Sequence, residues 1–276
     1  MRMNTSFNRT SGFIKSNSPI SLDALRANVP SIFAEDKHHS RSSRYTFVPT
    51  SDIVIALGKE GFHPFFACQA KVRTENLDRA DFAKHMIRFR HASAINSDVA
   101  NEIIVVNSHD GSTLGEMLAG GFRFVCQNGL ICGDLVDEIR FRHTGKIVDD
   151  VIEGAYSILE QFDKVNESKE EMKSLVLKPE EKQIFADVAL TLKYDGEAPI
   201  QSSALLNANR REDREDPSLW STFNTVQENL IRGGQQGRTA NNRRSRTRAV
   251  NGIGQNVQLN QALWTLAEKM KELKAG

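Results

Sequence analysis

His85-Met86-Ile87-Arg88-Phe89-Arg90-His91 is followed, ten residues on, by Glu102-Ile103-Ile104-Val105-Val106-Asn107-Ser108. The first stretch alternates. In an extended chain Met86, Arg88 and Arg90 fall on one side and Ile87 and Phe89 on the other. The second is a β-branched run too short for a buried helix, and it ends in Asn107-Ser108-His109-Asp110-Gly111, which carries turn chemistry. Two strands joined by a short connection pair antiparallel. These stretches therefore place an antiparallel sheet in the middle of the chain.

Working outward, the same pattern continues on both sides. Tyr45 to Val48 reads as a strand stopped by Pro49, and Phe65 to Val72 as another. Ser51 or Asp52 is positioned to cap a helix running to Lys59, with Gly61 as its stop. Downstream, Phe122 to Cys126 and Glu138 to His143 complete the β-rich part. In the polar segment before it, Ser21 is a candidate cap for a short helix to Ala27 with Leu22 and Leu25 facing inward. His38, His39, Arg41 and Arg44 follow, read as a surface loop or, more sharply, a second phosphate-contacting segment. After Gly145 the period changes. Val148, Val151, Ile152, Ala155, Ile158, Leu159 and Phe162 recur at helical spacing, ahead of an exposed, charged Ser168-Lys169-Glu170-Glu171. Pro179 opens another helix carrying Ile184, Phe185, Val188, Ala189 and Leu190. The mixed-sign run NANRREDRED at 207–216 reads as a solvated loop or helix end. Asp216-Pro217 begins a helix that carries Leu219, Trp220, Phe223, Val226 and Leu230 and ends at Arg232-Gly233. Asn256 is the expected cap of a last helix with Leu259, Leu263, Trp264, Leu266 and Ala267 on its apolar side. Both tryptophans read as packing residues. The fold class is α+β: an irregular segment 1–43, a β-rich part 44–145 and a helical part 146–276, the latter two forming one domain or two.

The helical part holds the most unusual charge pattern. Between Ile231 and Gly254 the sequence IRGGQQGRTANNRRSRTRAVNGIG has Arg232, Arg238, Arg243, Arg244, Arg246 and Arg248 and no Asp or Glu, in a protein whose net charge is only +1. A local patch of guanidinium attracts phosphate and releases its counterions. Arg pairs bidentately with phosphate and stacks on bases. Gly233, Gly234 and Gly237 give backbone freedom for amides to approach a ligand. The patch reads as a nucleic-acid-contacting loop. A flexible loop without a specific partner, or a contact for acidic protein surfaces, are the alternatives. On the sheet, Arg88, Arg90 and Arg123, with Arg140 and Arg142, are expected on an exposed face, either simply solvated or extending the nucleic-acid path alongside aromatic residues.

The 276 residues, 39% hydrophobic and 26% charged, are ordinary for a soluble globular protein. No apolar run reaches bilayer length and the N-terminus lacks a secretory core, so a cytoplasmic location is expected. Three cysteines, Cys68, Cys126 and Cys132, make neither a disulfide framework nor a zinc-finger spacing. No phosphate-loop, GxSxG or HExxH motif is present. The glycines of GEMLAGG at 115–121 have neither Rossmann nor Walker spacing. His109-Asp110 is an acid/base candidate that reads better as a turn, and Cys126 reads as a structural thiol. Asp134, Asp137, Glu138, Asp149 and Asp150 form a weak candidate for a metal-dependent nuclease, read more simply as surface acids and helix caps. No catalytic residue, metal or cofactor is assigned.

Two segments, GGFRFVCQNGLICGD at Gly120 to Asp134 and NTVQENLIRGG at Asn224 to Gly234 continuing through RRSRTRAVNGIGQNVQLNQALWTLAEKM, resemble a bacterial family of phage- and plasmid-encoded proteins of long-unknown function. The resemblance runs from about Arg44 to Met270 and implies a mobile-element setting. More distantly, the hairpin-rich middle, long helix and basic segment resemble single-strand annealing proteins of the RecT/Redβ and Rad-type groups. That resemblance implies a curved sheet backed by a helix, assembly into homo-oligomeric rings or filaments, and single-stranded DNA in a basic groove; it assigns no residue. The expected function is thus non-enzymatic nucleic-acid binding, with strand annealing as its finer form. Neutralisation of a host defence or regulatory factor and metal-dependent nuclease action are the rivals.

Overall fold

A computed structural model describes residues 12–36, 38, 47, 49–72, 80–91, 99–111, 113, 115–124, 128–132, 139–141, 147–238 and 242–275. The described chain forms two compact units. One takes residues 12–123 and 139–162, the other 124–132 and 163–275. The architecture is α+β, with antiparallel strands first and helices after them.

The first unit is built on strands β1 (Phe13–Lys15), β2 (Phe62–Gln69), β3 (His85–His91), β4 (Val99–Asn107) and β5 (Gly115–Arg123), paired in that order. Strand β7 (Ile139–Phe141) also pairs with β5, and every one of these pairings is antiparallel. The register places Ile87 opposite Val105 and Phe89 opposite Ile103. Ile103 and Val105 in turn face Ala119 and Met117 on β5. These residues form one continuous buried apolar face. Helix α3 (Ile147–Ser174) comes down on it at Gly154, where an added methyl would lie 3.1 Å from Ile139 Cδ1 and 3.7 Å from Met117 Sδ.

The edges of the elements differ from the sequence reading. Strand β5 begins at Gly115 and incorporates GEMLAGG, because small residues are needed where β4 crowds it: a Cβ on Gly121 would sit 3.0 Å from Val99 Cγ1. Strand β2 starts at Phe62 and ends at Gln69 rather than running from Phe65 to Val72. Helix α1 (Leu22–Asn28) is capped by Ser21 as expected, through Ala24 N–H at 3.2 Å, and buries Leu25. Leu22 stays 41% exposed. Helix α2 (Thr50–Lys59) takes neither Ser51 nor Asp52 as its cap: Pro49 precedes it and Thr50 is its first residue. The expected strand over 45–48 lies largely outside the described residues.

The second unit is helical. Helices α4 (Pro179–Lys193), α6 (Leu219–Arg232) and α7 (Ile253–Ala275) pack together, joined by the short α5 (Arg211–Glu215) and a 3-10 turn at Ser202–Leu206. Strand β6 (Asn128–Ile131) belongs here and contacts α7. Helix α6 is buried from Leu219 to Ile231. Several of its polar side chains are paired within the unit. Asn229 Nδ2 donates to the carbonyls of Leu205 (2.8 Å) and Asn207 (3.0 Å), and Gln227 Nε2 to Asn260 Oδ1 at 2.7 Å. Trp264 meets Trp220 and Phe223 edge-on at 6.4 and 5.8 Å, so both tryptophans are core residues.

Two expectations for this unit are corrected. The 168–171 segment is part of α3, with Ser168 and Lys169 buried; Ser168 donates to Glu268, and Lys271 bridges Glu171 and Glu268 at 2.7 and 2.8 Å. Asn256 lies inside α7 rather than capping it, its oxygen accepting from Asn260 Nδ2 at 3.0 Å.

Candidate nucleic-acid interface

The arginine segment is not a loop. Helix α6 ends at Gly233, whose φ of 64° is a left-handed stop, and the chain then forms a hairpin of β8 (Gln236–Arg238) and β9 (Arg244–Arg246). The hairpin is tied down at its base. Gly234 N–H donates to Thr247 O (2.8 Å), Thr247 N–H to Gln235 O (2.9 Å), and Val250 N–H to Ile231 O (2.9 Å). Lys193, in the last turn of α4, donates to Leu230 O at 2.6 Å and Arg248 O at 2.7 Å. Burial lowers the Lys193 ammonium to about 8.

Gly233 and Gly237 stand where the protein's own backbone comes close. A Cβ on Gly233 would lie 2.6 Å from Arg248 C, and one on Gly237 only 1.8 Å from Pro199 O. That contact presses the Gly237–Ser245 side of the hairpin onto the 199–200 segment. Because strand side chains alternate, the opposite side carries the charge. Arg238 stands directly opposite Arg244, and Gln236 opposite Arg246. All three of these arginines are exposed, as are Arg243 and Arg248 beside them. Gln236, Arg238, Arg244 and Arg246 line an open groove of about 710 Å³. Arg238 Nη1 donates to the carbonyl and the Oδ1 of Asn242 at 3.2 and 3.0 Å, with Asn242 itself at a φ of 58°. Like charges directly across a strand pair are destabilising, by an amount of the order of the 0.2–1 kcal/mol of favourable pairs. An anion placed between the guanidiniums would relieve that repulsion.

Arg232 is turned inward. It meets Glu228 Oε1 at 2.8 Å, and Arg210 meets the same oxygen at 2.8 Å.

Among the described residues, three of the arginines expected on an exposed sheet face are buried instead. Arg88 and Arg90 are 4% exposed and Arg123 is 7% exposed. Arg88 Nη1 lies 3.0 Å from Glu102 Oε2 and Arg90 Nη2 2.8 Å from Glu102 Oε1. The Arg90 guanidinium also sits 4.5 Å from the ring centres of both Phe65 and Phe122. Both faces of β3 are buried, so its charges required a partner inside the protein, and Glu102 of the neighbouring strand supplies it. Arg140 is exposed, while Arg142 lies outside the described residues. So do His39, Arg41 and Arg44; His38 is buried, with its ring edge-on to Phe82 at 5.3 Å.

One polar cluster was not anticipated. Thr50 Oγ1 lies 2.9 Å from His85 Nε2, 3.1 Å from His109 Nε2 and 3.0 Å from Asn107 Nδ2, all buried. The protons can be placed. His85 Nδ1 faces the carbonyl of Ala83 at 3.0 Å and must donate to it, so neutral His85 accepts the Thr50 hydroxyl proton at Nε2. Thr50 then accepts from His109 Nε2–H and from Asn107. Burial keeps His85 neutral, lowering it to about 4. His109 is thus a core residue of this cluster. Among the described residues no three His, Cys, Asp or Glu group as metal ligands; Cys126, Asp134, Asp137 and Glu138 lie outside them, and Asp149 and Asp150 are exposed in the first turn of α3. No described helix is long and apolar enough to cross a membrane.

The model of a domain of unknown function, DUF932, matches residues 37–264. The chain belongs to the DUF932 family. It is similar to two proteins of Escherichia coli (strain K12), UPF0380 protein YafZ and UPF0380 protein YfjQ, each 46% identical over 258 residues that cover 93% of this chain and 93% of the relative. The family match includes the Gly120 to Asp134 segment and most of the second, ending at Trp264 of α7. No solved structure matches the chain. Nothing in these matches connects the family to the RecT or Rad-type annealing proteins.

Proposed function

We propose that this protein is a non-enzymatic nucleic-acid-binding protein whose phosphate contacts are made by the β8–β9 hairpin. The observation that carries the reading is the direct opposition of Arg238 and Arg244 with Arg246 on the same face, in a segment with no acid from 231 to 254. Arg243 and Arg248 extend the exposed cationic surface. The hairpin is fixed at its base by main-chain bonds, so the guanidiniums are presented on a positioned scaffold, which lowers the cost of ordering them on binding. Arg232, Arg88, Arg90 and Arg123 are not part of this surface. Binding of this type is electrostatic and largely independent of sequence. The test is a salt titration of DNA affinity with and without the hairpin arginines.

The proposal has a finer form, strand annealing by several copies. A single hairpin contacts only a short length of strand, so an extended path needs neighbouring subunits. Helix α4 leaves Ile184, Val188 and Leu192, four residues apart, exposed at 56%, 41% and 40%. That row also favours a second reading, in which the partner is another protein and the arginines meet its acids. The two readings separate on whether purified protein binds DNA at all.

A further inference from the structure

A second groove lies behind the hairpin, of about 710 Å³, within the 300–1,000 Å³ usual for small-ligand sites. It is bounded by the end of α4, the chain from Ser245 to Val250 and the early turns of α7. Its chemistry differs from that of the hairpin's open face. Leu192, Leu259 and Ala262 give it an apolar wall, and Tyr194 adds an aromatic one. Arg246 and Arg248 stand on its lining with Lys193. Lys193 gives two N–H bonds to carbonyls, and its ammonium lies 5.3 Å from the centre of the Tyr194 ring. Exposed Gln255 and Gln258 line the groove from one face of α7, three residues apart. Two hydroxyls in the lining, Tyr194 Oη and Ser245 Oγ, are enclosed without a hydrogen-bond partner. Such groups cost stability until a polar partner reaches them. Ser245 and Arg246 line both grooves, so the two are adjacent.

We propose that this groove takes one unstacked nucleotide of a single strand whose neighbouring phosphates lie on the hairpin. The inference rests on the nucleic-acid reading and sharpens it to single strands. An apolar wall beside cations matches a base joined to its phosphate. The base lies against Tyr194 and the leucines, its polar edge toward the Gln255 and Gln258 amides, which offer both donors and acceptors. The phosphate meets Arg246, Arg248 and the Lys193 ammonium. A duplex keeps its bases stacked and paired, and offers the groove nothing but phosphate.

The test measures anisotropy of labelled oligothymidine and of a duplex of equal length, using full-length protein. Tyr194→Ala is expected to weaken single-strand binding roughly ten-fold, the scale of one lost stacked base, and to leave duplex binding and the salt slope unchanged. Tyr194→Phe keeps the ring and loses only the enclosed hydroxyl, so it is expected to weaken single-strand binding less than Tyr194→Ala does; its thermal melt shows that the site is folded. Gln258→Ala, exposed and remote from the core, provides a second variant expected to weaken only the single strand. Equal effects of Tyr194→Ala and Gln258→Ala on single strand and duplex, or none on either, overturn the groove proposal. In that event the hairpin reading still stands if removing its arginines lowers the salt slope, and falls if it does not. Thymidine monophosphate is expected to displace the oligonucleotide more effectively than inorganic phosphate. Equal competition by the two, or by polyglutamate, also contradicts a base-accepting groove.

Discussion

Thr50 shows how one hydroxyl can organise a core. It binds two histidines and an asparagine from two segments, the start of β3 and the end of β4, and its own proton goes to His85. Thr50→Val keeps the shape and removes the hydroxyl from all three. We expect a loss of about 2–3 kcal/mol, read from urea denaturation; an unchanged midpoint contradicts the proton placement. The same cluster sets a pH dependence. His85 is held at about 4 when folded against an ordinary 6.5, so the unfolded chain binds the proton first. This contribution is fully present above pH 6.5 and is lost as pH falls through about 4, with His109 and Asp110 the titratable groups beside it. Replacing His85 by Gln should flatten stability over that window. Glu102 is a second sensitive point. Glu102→Gln removes the charge between two buried guanidiniums and should cost about 3–5 kcal/mol, in the same denaturation assay. The alternation of Arg88 and Arg90 was readable in the sequence, but their burial was not. A strand with charge on one side looks solvent-facing until the acid that neutralises it is placed opposite, and Glu102 is fourteen residues from Arg88 in the chain.

At the scale of elements, regular patterns were legible and crowded ones were not. The β3 limits, the β-branched heart of β4, and the C-terminal end of α6 follow from alternation, β-branching and a glycine stop, whereas α6 starts at Leu219 behind a Ser218 cap and not at Asp216-Pro217. Strand β5 was hidden because its glycines and alanine, which look like loop chemistry, are what β4 allows beside it. The hairpin was hidden for a related reason: Gly237 reads as flexibility, whereas its contact with Pro199 O fixes it in place. That contact makes a prediction. Gly237→Ala changes no charge but cannot keep a 1.8 Å approach, so the hairpin must shift. DNA affinity should fall several-fold while the thermal melt of the helical unit stays nearly constant. Full affinity in Gly237→Ala would show that hairpin placement is irrelevant to binding.

At the scale of the molecule, the sequence reveals the α+β class and the family, because these depend on period and on local motifs. It does not reveal that residues 124–132 join the helical unit, since that follows from contacts far along the chain. The proposed assembly belongs to this scale. Light scattering across a concentration series, with and without single-stranded DNA, should show a mass of several chains at least when DNA is present. A monomer under both conditions removes annealing by rings or filaments and leaves simple binding. The central claim is tested most directly by the salt dependence of single-strand affinity for the parent protein and for a variant with Arg238, Arg243, Arg244 and Arg246 all changed to Ala. Each phosphate contact contributes about 0.7 to the slope of log affinity against log salt, so the variant's slope should be shallower by about 3. An unaltered slope with unaltered affinity would contradict the hairpin as the nucleic-acid interface.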